Sequence, residues 1–278
     1  MRTLSFDSGI EADMNRPSPG NHPSSADLAA IKQADAVIVP RGCKRELYLM
    51  ARNHCPNVFP NYDLYYSHTG KTDQIRLFRK NSLPHPKTLT FDHCQEFWDT
   101  YGSTPFPYPC VFKFSWGGEG RYVYLLESDK DLLNCMKDAK SWQEKGLQGF
   151  LFQEFIPCGG RSLRAVVIGP HIFTYWRVQK QTNKFYSNLS KGAVIERHSF
   201  PHLRHMGKEA AKDFSQRTGL NLIGLDFLFC TETCEPEPLF LEINYFFRYT
   251  GLGGPHTYCK LLAAAIREWI HHIEQKNA

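Results

Sequence analysis

Gly224-Leu225-Asp226-Phe227-Leu228-Phe229 and Leu239-Phe240-Leu241-Glu242-Ile243-Asn244 decide how this chain is read. Both are short runs of strand-forming residues, and the polar, proline-bearing stretch from Cys230 to Pro238 reads as a hairpin connection. A turn centred near Cys234 sets Asp226 opposite Glu242, and the two-residue period of a strand puts Glu242 and Asn244 on one face. Three oxygen-bearing side chains then converge on an otherwise apolar ribbon. Two buried carboxylates without partners are costly, so the pair asks for a cation between them. Oxygen-only ligands suit Mg²⁺, with phosphates completing its octahedron. An isolated Asp…Glu-x-Asn is more often a pair of solvated acids, so the rest of the chain has to carry the weight.

Upstream, Cys110-Val111-Phe112-Lys113-Phe114-Ser115 and Tyr122-Val123-Tyr124-Leu125-Leu126 flank Trp116-Gly117-Gly118-Glu119-Gly120-Arg121. Strand, glycine loop, strand is a hairpin whose tip can fold over a ligand. Its glycines let backbone N–H groups approach phosphate oxygens, and Lys113 adds a point charge. No helix opens here on G-K-[ST] or G-x-G-x-x-G, so it is neither a Walker A loop nor a dinucleotide fingerprint. Gly149 to Pro157 is a buried-looking strand that runs into Gln153-Glu154 and stops at a proline, with Phe155 and Ile156 placed to wall a purine ring. Two further strands carry Arg164 and Arg177, and Asn188 follows.

In this order Lys71, Lys113 with its glycine loop, Gln153-Glu154-Phe155-Ile156, Arg164, Arg177, Asn188, Asp226 and Glu242-x-Asn244 resemble the ATP-grasp superfamily. Within it, the closest branch is that of the glutamate ligases that modify ribosomal protein S6, together with glutathione synthetases. The resemblance covers about residues 65 to 275 and rests on order and spacing. It implies an α+β, ATP-grasp fold: two α+β subdomains clamping ATP, preceded by a short α/β domain. The expected divisions are 1–84 for that first domain, with a flexible arm near 14–25, and 85–278 for the ATP-grasp domain. The latter splits into a lid at 85–155 and a metal-binding subdomain at 156–278.

The resemblance also implies the chemistry. A substrate carboxylate attacks the γ-phosphate of ATP to give an acyl phosphate, and an amine displaces phosphate to form an amide, releasing ADP. Lys71, Lys113, Gly117, Gly118 and Gly120 would hold the phosphates, and Gln153 to Ile156 the adenine, with Ser162 and Arg164 on the nucleotide. Asp226, Glu242 and Asn244 would carry one or two Mg²⁺, or Mn²⁺ in its place. Arg177 would stabilise the transferred phosphoryl group, with Asn188 near the metal–phosphate cluster. Two departures stand out. Ser162 replaces the acidic residue that relatives place two before the strand arginine, which leaves ribose recognition open. The small-residue turn after the metal asparagine becomes Tyr245 to Pro255, an aromatic loop in which Arg248 would clamp a substrate carboxylate.

Composition is consistent with this. A chain of 278 residues is long enough for two or three subdomains. No apolar run spans a bilayer, and Met1 to Asp7 carries no signal-peptide core. Nine cysteines without regular spacing point to reduced thiols in a cytoplasm. A net charge of +5 suits small anionic ligands, and no basic stripe with interleaved aromatics points to nucleic acid. The expected partners are carboxylate and amine substrates of amino-acid or peptide type, or a protein acceptor, with a homo-oligomer in keeping with relatives. A phosphotransferase on the same fold and a catalytically reduced ATP-binding regulator are the alternatives.

Periodicity places helices at 25–33, 44–54, 72–81, 92–101 and 129–144, and strands at 36–40 and 57–60. From Tyr258 to Gln275, Leu262, Ile266, Trp269 and Ile273 share one helical stripe, which is core packing. His198, His202 and His205 lack a carboxylate or cysteine to complete a metal site and read as solvated, as do His271 and His272.

Overall fold

In the computed structural model, which describes residues 1–278 apart from 19, 69, 119, 182–188 and 278, three sheets carry the chain. The first is parallel. It is built from β1 (Thr3–Ser5), β2 (Met14–Asn15), α1 (Ser25–Gln33), β3 (Ala36–Ile38), α2 (Arg45–His54) and β4 (Val58–Phe59), in strand order β2-β1-β3-β4. A parallel sheet needs cover on both faces. Leu4, Val37 and Val39 pack with Ile31, Leu47 and Tyr48 on one side. Ile38 and Phe59 meet Leu262 and Ile266 of the C-terminal helix on the other. Ser24 caps α1: its hydroxyl takes the Asp27 N–H while the Asp27 carboxylate takes the Ser24 N–H. Of the stretch 14–25 expected to be a flexible arm, Met14–Asn15 form the edge strand. Arg16 N donates to Ser5 O at 2.8 Å, and Arg16 Nε pairs with Asp27 at 2.7 Å.

A short α3 (Asp63–Ser67), not expected from the pattern, leads into α4 (Lys71–Lys80). The second sheet follows, with β5 (Thr88–Phe91), α5 (Cys94–Thr100), β6 (Cys110–Phe114), β7 (Val123–Leu126), α6 (Asp129–Glu144) and β8 (Phe150–Glu154). Its antiparallel order is β5-β8-β6-β7. Phenylalanines hold it together, as in the stacking of Phe97 of α5 on Phe152 of β8 with ring centroids 4.9 Å apart.

The third sheet comprises β9 (Arg161–Ile168), β10 (His171–Val178), β11 (Val194–Glu196), β12 (Leu222–Leu228) and β13 (Leu239–Asn244) in antiparallel order β11-β10-β9-β12-β13. Strand alternation divides its labour. Leu163, Ala165, Leu225 and Phe227 pack against Ala211 and Phe214 of α7 (Pro201–Thr218). Val166 and Ile168 face α8 (Pro255–Asn277). Between those apolar ends the second face carries Ser162, Arg164 and Asp226, all buried. The expected stripe of α8 is core, and it lies under the first and third sheets together: Trp269 meets Phe59 at 5.5 Å. Among the described residues no helix is long and apolar enough to cross a membrane.

Candidate active site

The β12–β13 hairpin sets Asp226 opposite Glu242 and Gly224 opposite Asn244. The register then shifts so that Phe227 faces Phe240, leaving Leu241 as an extra residue, a bulge beside the carboxylates. The convergence expected from the sequence is present, but Asp226 already has its cations, and they are guanidiniums. Its Oδ1 accepts from Arg164 Nε at 2.5 Å and Arg177 Nη2 at 2.8 Å. Its Oδ2 accepts from Arg164 Nη2 at 2.9 Å and Asn244 Nδ2 at 3.0 Å. That fills all four lone-pair directions of a carboxylate. Burial pushes the Asp226 carboxyl up, but Arg164 and Arg177 outweigh it and hold it below the ordinary value. Gly224 makes room for this arrangement, since a Cβ there would lie 2.9 Å from Arg164 Nη1.

Arg177 also donates to Ser162 Oγ, from Nε at 3.2 Å and Nη2 at 2.9 Å. Ser162 and Arg164, expected on the nucleotide, therefore sit among the guanidiniums; Ser162 braces Arg177. The two arginines are not equivalent. Burial lowers both; for Arg164 the contact with Asp226 wins and the value rises, whereas Arg177, with Arg164 beside it, stays lowered. Two guanidiniums share one carboxylate, and Arg177 is the less well neutralised.

Lys113 on β6 is buried, and its Nζ donates to Gln153 Oε1 at 2.7 Å; Gln153 Nε2 in turn donates to Thr88 Oγ1 at 2.8 Å. Burial pushes Lys113 down to about 8, with Glu242 pulling the other way. Lys71, the first residue of α4, donates from Nζ to the carbonyls of Trp116 at 3.1 Å and Gly117 at 2.7 Å, so it holds the glycine loop. Burial lowers it as well, again opposed by Glu242. Gly117 adopts φ +83°, and a Cβ there would come within 2.6 Å of the Tyr122 ring, so this tip requires glycine. Both lysines open onto an apolar cleft walled by Val111, Leu151, Phe155, Ile156 and Leu241, which Gly120 also reaches. Glu154 borders the cleft too, but its Oε1 takes the Lys87 N–H at 2.6 Å, so its carboxylate is tied to the segment that enters β5. Gly117 and Gly118 face a neighbouring cleft. Asn188 lies outside the described residues.

In the loop after β13, Tyr245 and Phe247 are largely buried in the packing of the third sheet, yet Tyr245 borders the glycine-loop cleft and Phe247 the pocket that holds Arg164 and Arg177. Phe246 and Arg248 point outward and border the pocket that also holds Arg164 and Arg177. Tyr249 stacks on Tyr258 at 4.0 Å. Arg41, from the connection between β3 and α2, lies over the rings of Phe246, Phe247 and Tyr249 at 5.6, 4.8 and 5.0 Å and donates to Phe247 O at 2.7 Å. Sequence reading gave no sign of Arg41, because its partners lie 206 and 208 residues away. Gln74 was missed as well. Its Oε1 accepts from Ile243 N at 2.8 Å and its Nε2 donates to Ile243 O at 3.0 Å, pinning β13 next to Glu242. Its place one helical turn after Lys71 was the available signal.

Glu242 is the junction. It borders the apolar cleft, the guanidinium pocket and the cleft that Gly117 and Gly118 face. It is half-buried, and its carboxylate makes no hydrogen bond or ion pair with a described residue. Lys71, Lys113, Arg164 and Arg177 against Asp226 and Glu242, four charges against two, leave the site at +2, the sign a polyphosphate needs. The Glu242 carboxylate and Asn244 Oδ1, whose amide nitrogen is committed to Asp226, fit a hard divalent ion. Asp226 fits one only by releasing a guanidinium. His202 and His205 lie on α7 and His198 precedes it; among the described residues no three potential ligands gather elsewhere.

Residues 69–258 match the family described as the RimK-like ATP-grasp domain. A probable alpha-L-glutamate ligase 2 of Hahella chejuensis is 31% identical over 140 residues, 49% of this chain and 41% of that protein. A probable alpha-L-glutamate ligase of a Marinomonas species is 29% identical over 177 residues, 63% of this chain and 54% of that protein. The chain thus spans about half the length of the curated relatives it matches. Among solved structures, an ATP-grasp RimK domain protein from Sphaerobacter thermophilus superposes with a TM-score of 0.63 at 16% identity, over 95% of this chain and 99% of that one. The D-alanine–D-alanine ligase of Bacillus anthracis superposes with a TM-score of 0.62 at 11% identity, over 99% of this chain and 100% of that one. These likenesses establish the fold: it is ATP-grasp, of the α+β class.

Proposed function

The chain belongs to the RimK-like ATP-grasp family, and from that premise we propose that it is an ADP-forming ligase that joins a carboxylate to an amine. The observation that carries the reading is the position of Glu242, where the apolar cleft, the guanidinium pocket and the glycine-loop cleft meet. In this reading adenine lies against Phe155 and Ile156, and Lys71 and Lys113 meet the phosphates. Glu242 and Asn244 would be the first donors to Mg²⁺, which when bound would neutralise phosphate charge. The γ-phosphate would offer Arg177 a better anion than its shared carboxylate, and that would open one lone pair of Asp226 Oδ1 to the metal site while Arg164 and Asn244 keep the other three. The substrate carboxylate takes the γ-phosphoryl group, breaking its bond to the ADP oxygen; the amine attacks the resulting acyl phosphate, loses a proton and expels phosphate. The relatives' names point to an amino-acid substrate. Nine free thiols support a reducing, cytoplasmic setting. The separate second and third sheets support a lid at 85–155 closing on a metal-bearing body at 156–278, and the first sheet, with its own cluster around Leu4, Val37 and Tyr48, supports a first domain within 1–84 whose last helix packs on the third sheet.

Incubation with ATP, Mg²⁺ and an amino-acid mixture tests this. Substrate-dependent ADP and free phosphate in equal amounts, with a product one water lighter than its two substrates, are expected. Phosphorylated product without free phosphate would make the protein a kinase. Glu242→Ala should abolish turnover and keep the fold; wild-type turnover in that variant would sink the assignment of Glu242.

A further inference from the structure

The cleft on the glycine-loop side of Glu242 is walled by rings that the nucleotide reading leaves unused. It encloses about 820 Å³, within the range of roughly 300–1,000 Å³ typical of small-ligand sites. Tyr65 and Tyr66 of α3 and Phe246 form one wall. Tyr65 meets Phe246 edge-on with centroids 5.2 Å apart and Tyr66 at 4.7 Å. The wall is braced by Tyr245, which also borders the cleft, against Tyr65 at 4.9 Å and by the Arg41 guanidinium 5.6 Å from the Phe246 centroid. Phe246 nevertheless keeps 46% of its surface exposed while both its neighbours are buried. A large ring held rigid and left open to solvent is a feature of binding surfaces, where it offers contact area at little entropic cost. Trp116 of the glycine loop borders the cleft as well. Arg45, at the first position of α2, borders the same cleft, is exposed, and makes no ion pair with a described residue. Glu242 and Asn244 border it too, at the reacting end.

We propose that this cleft binds an amino acid or short peptide with an aromatic side chain, its ring on the Tyr65–Phe246 wall and its carboxylate at Arg45. This is the amine substrate of the ligase reading, its carboxylate engaged by Arg45 and its amine toward Glu242, and the inference rests on that reading for the chemistry at Glu242. The selectivity differs from what the glutamate ligases' names would suggest. A carboxylate alone would need only the cation, whereas three ordered rings reward an aromatic partner.

Calorimetric titration of the whole protein with glycyl-phenylalanine, glycyl-glutamate and glycyl-alanine, with and without ADP and Mg²⁺, tests it. Glycyl-phenylalanine should bind about tenfold more tightly than the other two, the discrimination that a good ring contact supplies. Phe246→Ala should erase that preference without changing ADP affinity, and Arg45→Gln should weaken all three dipeptides alike. Equal binding of the three, no binding of any, a preference for glycyl-glutamate, or an aromatic preference that survives Phe246→Ala would each overturn the proposal. Failure of the ligase reading would appear separately, as absence of ADP and phosphate release in turnover alongside these same binding results.

Discussion

Lys113 holds a buried charge whose one close hydrogen-bond partner is neutral, the Gln153 amide. With its value near 8 in the folded chain against an ordinary 10.5, the native state binds fewer protons than the unfolded one between those limits. Stability therefore rises with pH across that window, because the unfolded chain must shed the proton that the folded chain has already lost. A phosphate beside Lys113 reverses the preference by favouring the charged form. Nucleotide affinity should then be highest below pH 8 and fall above it, by at most about tenfold per pH unit. Titration with a fluorescent ADP analogue between pH 7 and 9.5 measures this. Lys113→Arg, which stays charged throughout, should flatten the curve. A flat curve in the wild type would remove Lys113 from the phosphates.

At the level of elements, Asp226 ties four strands together. From β12 it accepts from Arg164 of β9, Arg177 of β10 and Asn244 of β13. Asp226→Asn leaves two guanidiniums facing a neutral amide and should cost about 3–5 kcal/mol, the usual effect of removing one partner from a buried pair. Glu242→Gln, with no ion pair to lose, should stay within about 0.5 kcal/mol of wild type. Urea unfolding of the two variants separates a strand-pinning carboxylate from a metal donor, and equal losses would contradict the division. The hairpin itself was legible. Its two apolar runs and the polar link between them bring Asp226 opposite Glu242, but the bulge at Leu241, which shifts the pairing by one residue on the turn side, leaves no mark on the pattern. What strand alternation could not show is which cation neutralises Asp226. Arg164 and Arg177 lie on its face of the sheet, but that requires the β10-β9-β12 order, a non-local fact. Short elements such as α3 and β11 escaped for the opposite reason: five and three residues are too few to display a period.

Across the whole molecule, the first sheet reaches the site by two routes. α8 packs beneath it and the third sheet through Trp269, Leu262 and Ile266, and Arg41 grips the loop after β13. The first route is apolar area and is spread over many side chains. The second is a single guanidinium among three rings. Each such contact is worth roughly 0.5–2 kcal/mol, according to its desolvation. Arg41→Gln should therefore lower global stability by about 1–3 kcal/mol while loosening residues 245–252 most. Hydrogen exchange read by mass spectrometry should show faster exchange there, with the 110–126 hairpin unaffected because it belongs to the second sheet. The same variant should weaken glycyl-phenylalanine binding through Phe246 and leave ADP affinity intact. Unchanged exchange across 245–252 would mean that Tyr245 and Phe247 hold the loop by burial alone.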